Sequence, residues 1–574
     1  MHTIDWLVLA GFFVYTLWDG IKAHRKSKDV EGLLLGNRNL AWWAIGISVM
    51  ATQASAITFI GTTGQAFMHD MRFIQVYLGL PLAMIVLSLT LIPLYYYSKA
   101  YTAYEVLEER FGLRVRLSTS LMFLLSRGAA LGIGMAAPAY VLSLILDLPL
   151  WLTIMVIGIG TTFYTMFGGI NGVIRTDVKQ MLLVVVGLIF AFFWIIKKLP
   201  ESVSFSEALH LAGALGKLET IDLSFDLREK YNIWSGLIAG FFLMFAYFGT
   251  DHAQVQRYLT ARSLSDARGS IIMSAFAKIP MQFFILLLGA CLYVFYIFQD
   301  RPLLFIPAET KIYTNECLAK SRELESNFAI THQKREEAAL NWLKDRDNEN
   351  QREQLIALDK EAQILRHKEI SLLESQSESS RNDTNYVFPY FIITELPVGF
   401  IGLILAAILA AALSSIDSML NSLAAASVMD WYKRLEKKTR KEEEYLWLTR
   451  KATIGWGLFA TFSALAFGQT ESIIEVINQI SSYFFGPILG VFLLLWIPRA
   501  NGNGAFWGLI FSIFGVLLIG SLFEPCGGGE MFFQFPLGNS SLEYQAVVPY
   551  LWLNPIGAGL VILFSLIFSG KKNP

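Results

Sequence analysis

The chain has 574 residues, of which 54% are hydrophobic, 14% aromatic and only 16% charged. A water-soluble domain carries about a quarter of its residues as Asp, Glu, Lys and Arg, so this balance argues against a soluble globular protein. A net charge of −1 says nothing about nucleic acid, and no basic patch suited to a nucleic-acid partner is present, so none is expected.

Apolar runs of about 20 residues recur along the sequence, the length that crosses a bilayer. About thirteen spans are predicted, at 3–23, 41–68, 73–98, 118–146, 150–168, 177–197, 232–256, 267–299, 389–427, 449–468, 471–497, 504–523 and 548–569. The first begins with Asp5 and lacks a small-residue cleavage site, so it reads as a span and not as a cleavable leader. Basic clusters at 24–28, 99–116, 257–268 and 433–451, with Lys571 and Lys572, all fall on one side. The positive-inside rule makes that side cytoplasmic, with the N-terminus outside and the C-terminus inside the cell membrane. Cys291 lies in an apolar run, whereas Cys317 and Cys526 lie in loops on a common side, where they can pair or stay as thiols.

In the second span, residues 51–61 read ATQASAITFIG. Ala, Thr, Gln and Ser make a poor helix interior at mid-membrane but a suitable break, where freed carbonyls can face an ion or a solute. The fourth span holds Arg127, an intramembrane cation that needs a cavity or an acidic partner such as Asp177. Residues 168–180 read GGINGVIRTDVKQ, with Thr176 and Asp177 opening the sixth span; a carboxylate suits a helix N-terminus. The seventh span ends FAYFGTDHAQVQRYL at Leu259. In the eighth, Lys278 shortly precedes Pro280 and can snorkel toward the interface.

Segment 309–385 departs from this pattern, because Leu and Ala recur among dense charges there. It reads as long amphipathic helices, an antiparallel pair on the outer face, either inserted beside a core that does not need it or docking a protein partner. In the ninth span, residues 406–421 read AAILAAALSSIDSMLN. Ala411, Ser414, Ser415 and Ser418 share one helical face. Small residues there let another helix approach, and hydroxyls offer oxygen ligands to a hard cation such as sodium. A packing seam whose hydroxyls bond the preceding turn is the alternative. The eleventh span carries EVINQISSYFFGPILG at 475–490.

In this order the motifs GG-x6-TD-x2-Q, TD-x4-QR and SS-x2-S resemble the sodium/solute symporter family, sodium-coupled carriers of sugars, amino acids, carboxylates, vitamins and anions. The resemblance runs from the first span to the eleventh, interrupted by 309–385. The fragment TAYEVLEERFG at 102–112, with APA at 137–139, leans toward the monocarboxylate, vitamin and iodide branch. The resemblance implies an all-α polytopic membrane protein with a LeuT-type core of two inverted five-helix repeats. The expected organisation is a peripheral first helix and link (1–40), a first repeat (41–200), an outer loop (201–231), and a second repeat (232–308 with 386–497). The insertion (309–385) and two peripheral C-terminal helices (498–574) complete it.

Carried over from the family, a sodium ion would be held by carbonyls of Ala51, Ala54 and Ala411 with hydroxyls of Ser414 and Ser415. A second cation site would lie between Asp177, Asp417 and Ser418, where Asp417 replaces the family's hydroxyl; that carboxylate can strengthen the site, favour a proton or point into the cytoplasmic exit. The solute cavity would be lined by Gln53, Thr58, Gln75, Tyr247, Phe248, Lys278 and Gln479, with Arg127 placed to bind a carboxylate. The expected function is sodium-coupled import of a small polar organic solute through the lipid bilayer by alternating access, a carboxylate fitting best. A sugar carrier, a proton-coupled carrier and a non-transporting sensor on the same scaffold are the alternatives; the chain ends at Pro574 without an output domain, which speaks against the sensor. No nucleophile–base pair, phosphate loop or metal-ligand cluster suggests an enzyme.

Overall fold

The computed structural model describes residues 1–23, 29–226, 229–306, 315–375, 383–436, 440–467, 473–522 and 549–570, and among these the named elements are all helices. Helices α1 (Thr3–Lys22) and α2 (Val30–Leu35) lead to α3 (Trp42–Gln53) and α4 (Ala56–Met68), two pieces of one span bent by 56°. The next crossing is shared by α5 (Leu80–Leu89) and α6 (Leu91–Ser98), and α7 (Glu105–Phe111) joins it to α8 (Leu113–Leu146). Then come α9 (Leu150–Lys197) and α10 (Phe205–Ala214), followed by α11 (Gly240–Thr250), α12 (His252–Tyr258) and α13 (Leu264–Phe298). The charged insertion forms α14 (Asn315–Lys344) and α15 (Glu349–Glu374). After it stand α16 (Val387–Glu395), α17 (Phe400–Ala426), α18 (Lys433–Leu435) and α19 (Glu442–Phe467). The chain closes with α20 (Ile473–Leu493), α21 (Gly502–Leu522) and α22 (Leu553–Phe568).

Each predicted span coincides with helix. Among the described residues eight helices are long and apolar enough to cross a membrane, nine if the bent pair counts as one span, and shorter apolar helices stand at Ser235–Thr250 and Ile480–Trp496. Two boundaries need correction. The fifth and sixth spans form the single 48-residue run α9. At 1.5 Å per residue that is about 72 Å, against about 30 Å of hydrocarbon, so it makes more than one crossing. The break is at Gly169, with φ 54 and ψ −158, where the Leu33 carbonyl lies in the place a Cβ would take. Helix resumes at once, so Asp177 stands inside it and not in an N-terminal turn. The predicted span at 389–427 is divided. Pro397 withdraws an N–H and forces Leu396 into an extended conformation (ψ 146), and Gly399 turns at φ 89 before α17 starts.

Helix α1 is fastened to the bundle at two acidic residues. The buried Asp5 carboxylate accepts from the amides of Gly399 (2.7 Å) and Gly402 (3.0 Å), capping α17 from another helix. Asp19 meets Arg175 (3.0 Å) and Lys179 (2.6 Å) of α9.

The insertion is the expected helical pair, with Ala338, Ala339 and Leu355 buried, but charges also dock it. Arg335, 1% exposed, reaches Asp359 (3.2 Å) and the Tyr296 carbonyl (3.1 Å), and the Tyr293 hydroxyl donates to Asp359 (2.6 Å). Beside it, Lys217 donates to the carbonyls of Phe67, Met68 and His69, each at 2.9 Å, and so closes the C-terminus of α4. Of the two loop cysteines, Cys317 is buried and Cys526 lies outside the described residues.

His332 makes this docking pH-dependent. Its Nε2 is 3.0 Å from the Tyr296 carbonyl, which can only accept, so the neutral ring carries its hydrogen there. Burial, with the charges of Arg335 and Arg301 nearby, pulls the imidazole down to about 4. The unfolded ring protonates near 6.5, so between about 6.5 and 4 the unfolded state binds more protons and stability falls as pH falls. Thermal unfolding across that window should show a loss that His332→Gln removes.

Candidate functional site

The site forms where the broken pair α3/α4 meets α17. At Ala54 the backbone leaves the helix (φ −88, ψ 66), which strips the preceding carbonyls of their intrahelical donors. Two hydroxyls answer. Ser415 Oγ donates to the Thr52 carbonyl (3.1 Å) from α17, and Thr58 Oγ1 donates to the Gln53 carbonyl (3.3 Å) from the first turn of α4. Ala51, Ala54, Ala411, Ser414 and Ser415 are each no more than 5% exposed, so the join is shielded from bulk solvent and built of small residues. The predicted break and the predicted serine face are therefore neighbours.

Behind them lies a buried polar network. Asp177 on α9 accepts from Ser414 Oγ (2.5 Å), from Ser48 Oγ and from the Arg257 guanidinium (3.4 Å). Arg257 Nε also donates to Ser48 Oγ (2.8 Å), and its Nη2 donates to Ser418 Oγ. Ser418 stands 3.1 Å from Thr52 Oγ1. Asp417 accepts from the Tyr164 hydroxyl (2.6 Å) and from Ser418 (3.1 Å). Its carboxylate thus faces this network.

Arg257 requires the largest correction. Sequence grouped it with a basic cluster on one side of the membrane, whereas it is fully buried in α12. The cause is a second broken helix. Asp251 leaves the α11 conformation (ψ 117) and caps α12 by accepting from the Ala253 amide (2.9 Å). The last carbonyls of α11 are met by Tyr95 (2.5 Å, Gly249) and Tyr104 (3.0 Å, Thr250). The chain thus resumes as helix inside the protein and carries Arg257 inward. Arg257 follows the predicted end of the seventh span, so the sequence offered no local signal for its burial, and Ser48, Thr52 and Tyr164 gave none beyond their polarity.

The candidate solute residues divide. Gln53 Nε2 touches the Met244 sulfur (3.7 Å), one turn from Tyr247, and Tyr247 meets Phe248 edge-on with centroids 4.9 Å apart. Arg127 is paired with Asp251, not with Asp177, and its guanidinium lies over Tyr247 (5.1 Å) and Phe485 (4.9 Å). Gln75 is engaged at both ends by main chain, donating to the Tyr231 carbonyl (2.8 Å) and accepting from the Asp222 amide (3.2 Å), so it fastens the loop before α11. Lys278 does not snorkel. It is 1% exposed, and among the described residues its ammonium has no hydrogen-bond partner, only the Tyr77 ring at 5.6 Å. One turn on, Gln282 donates to Thr62 (3.1 Å), which bonds the Thr58 carbonyl, so Lys278 flanks the second half of the broken helix. Gln479 falls in α20, but its side chain lies outside the described residues.

A sequence model of the sodium:solute symporter family matches residues 33–318 and 373–512, omitting most of α14 and α15. The sodium/sialic acid symporter SiaT of Proteus mirabilis is 28% identical, with 90% of this chain and 89% of that protein covered. A putative sodium-dependent multivitamin transporter of Drosophila melanogaster is 25% identical over 89% of this chain and 73% of its own. Among solved structures, a substrate-bound outward-open Na+-coupled sialic acid symporter superposes with a TM-score of 0.74 at 25% identity, covering 100% of this chain and 98% of that one.

Proposed function

Since the chain belongs to the sodium:solute symporter family and is a sodium-coupled symporter on a LeuT-type fold, we propose that its sodium site lies at the join of α3 and α17. Main-chain oxygens of Ala51, Ala54 and Ala411 and hydroxyls of Ser414 and Ser415 are its ligands. The observation that carries this reading is the Ser415 hydroxyl on the Thr52 carbonyl at the break. A packing seam alone would bond its hydroxyls back along its own helix, whereas this one reaches across to main chain that the break has exposed. The two halves, 41–200 and 232–308 with 386–497, then act as inverted repeats, each opening with an interrupted helix.

Sodium enters from the N-terminal side, taken as outside, helped by about 2.3 kcal/mol per charge for each 100 mV of membrane potential. Bound at the join, it fixes α3 against α17 and completes a solute cavity beside Gln53, Thr58, Tyr247, Phe248 and Lys278. Ion and solute must stabilise each other's binding for transport to be coupled. The solute is a small organic anion. Lys278 Nζ is buried without a hydrogen-bond partner among the described residues, and a bound carboxylate would both accept from it and hold it as an ammonium. Arg127 already has Asp251. Sialic acid, named for two relatives, is itself a carboxylic acid.

Thermal unfolding in detergent tests this, with sialic acid, short monocarboxylates and glucose offered in sodium and in potassium. An acid should raise the melting temperature in sodium only, and Lys278→Met should raise the concentration required by about tenfold to a hundredfold, the worth of a hydrogen bond to a charged group. If glucose and the acids respond alike and Lys278→Met leaves them equal, the solute is not recognised through its charge.

A further inference from the structure

Where the insertion meets the bundle, the charges do not all find partners. Arg335 has Asp359 at 3.2 Å and Arg366 has Asp383 at 2.8 Å. Lys217 is held by the three carbonyls that end α4. Arg301, three residues after α13, has neither a carboxylate nor any other hydrogen-bond acceptor among the described residues. We propose that Arg301 is the base of a second anion site, separate from the solute cavity, that takes a small carboxylate.

What holds this guanidinium leaves its donors free. Its central carbon stands over three rings, 5.7 Å from the centre of Phe67, 5.9 Å from Phe305 and 5.0 Å from Phe328. All three rings are buried. An aromatic face attracts the cation but supplies no directed acceptor for its N–H groups, so the fork keeps its capacity for a bidentate carboxylate. Nε is shut away from water, whereas Arg301 as a residue is only partly buried, which leaves the two terminal nitrogens as the open edge. The local charge favours the same ligand. Burial and the neighbouring charges of Arg335 and Arg366 disfavour the cation, and a bound anion would offset both. The adjacent Asp300 is exposed and makes no ion pair with it. An arginine that served only to fasten α14 would engage an acid there, as Arg335 does.

The insertion completes this site. Phe328 and Arg335 belong to α14, in the part of the chain that the family model omits, whereas Phe67 ends α4 and Phe305 follows α13. The site is therefore built by the added helices against the core, and nothing in it calls for sodium. Phe67 lies on the second half of the broken helix, so an occupied site bears on the element that flanks the solute cavity.

Thermal unfolding of the purified full chain in potassium, with butyrate against its neutral isostere butyramide at constant ionic strength, tests the inference. Without sodium the proposed solute cavity is incomplete, so the two sites respond separately. Butyrate should raise the melting temperature to a plateau and butyramide should not. Arg301→Gln should raise the butyrate concentration required at least tenfold, and Lys278→Met should leave it unchanged. The wild-type comparison needs no variant to fold. Stabilisation by butyrate that appears only in sodium would overturn the inference and leave the solute reading standing. So would a response in potassium that Lys278→Met removes and Arg301→Gln keeps. Equal stabilisation by chloride would overturn the assignment to a carboxylate.

Discussion

Asp251→Asn should lower the stability of the protein by about 3–5 kcal/mol, the loss that follows when one member of a buried ion pair is left without the other. Arg127 and Asp251 are paired at 7% and 0% side-chain exposure, so no water can take the carboxylate's place. Asparagine is nearly as good an N-cap as aspartate, so the cap on α12 through the Ala253 amide survives and the effect isolates the charge. Thermal unfolding in detergent should show the drop, and Arg127→Gln/Asp251→Asn should recover most of it. If the double variant is as unstable as the single one, the pair is not what holds the second break together.

Ser414→Ala/Ser415→Ala should abolish stabilisation by sodium. A bound ion at a hundredfold its dissociation constant adds about 2.7 kcal/mol to the folded state, and this variant should behave in sodium as it does in potassium. Its stability in potassium will also be lower, because Asp177 loses the Ser414 hydroxyl; the sodium-to-potassium difference removes that term. Ser422→Ala, on the same helix but bonded only to its own turn at the Met419 carbonyl (2.9 Å), should keep the full sodium effect. In proteoliposomes the double serine variant should accumulate solute no faster in a sodium gradient than in choline.

The sodium join was legible in the sequence because both partners advertise themselves locally. A Thr–Gln–Ser run is out of place at mid-membrane, and hydroxyls at three- and four-residue spacing must share a face. Arg257 was not legible, for the opposite reason. Charge at the end of an apolar run is the usual mark of a membrane boundary, and the acid that draws it inside is 80 residues away on α9. The pairing of Arg127 was legible as a need and not as an identity, since Asp177 and Asp251 are equally distant in kind. In the insertion, amphipathicity gave the two helices, but the charges that dock them, Arg335 and Asp359, look the same in a sequence as charges facing water.

The helical pair α14–α15 packs beside α13, and the residues that join its two helices, Asp345, Arg346 and Asp347, are exposed. Because the shaft is seated on the bundle through Arg335, Asp359 and Tyr293, that tip is a rigid mount. A folded reporter spliced there would hold a fixed bearing on the bundle, which suits it as a fiducial for electron imaging or as an epitope for selecting antibody fragments.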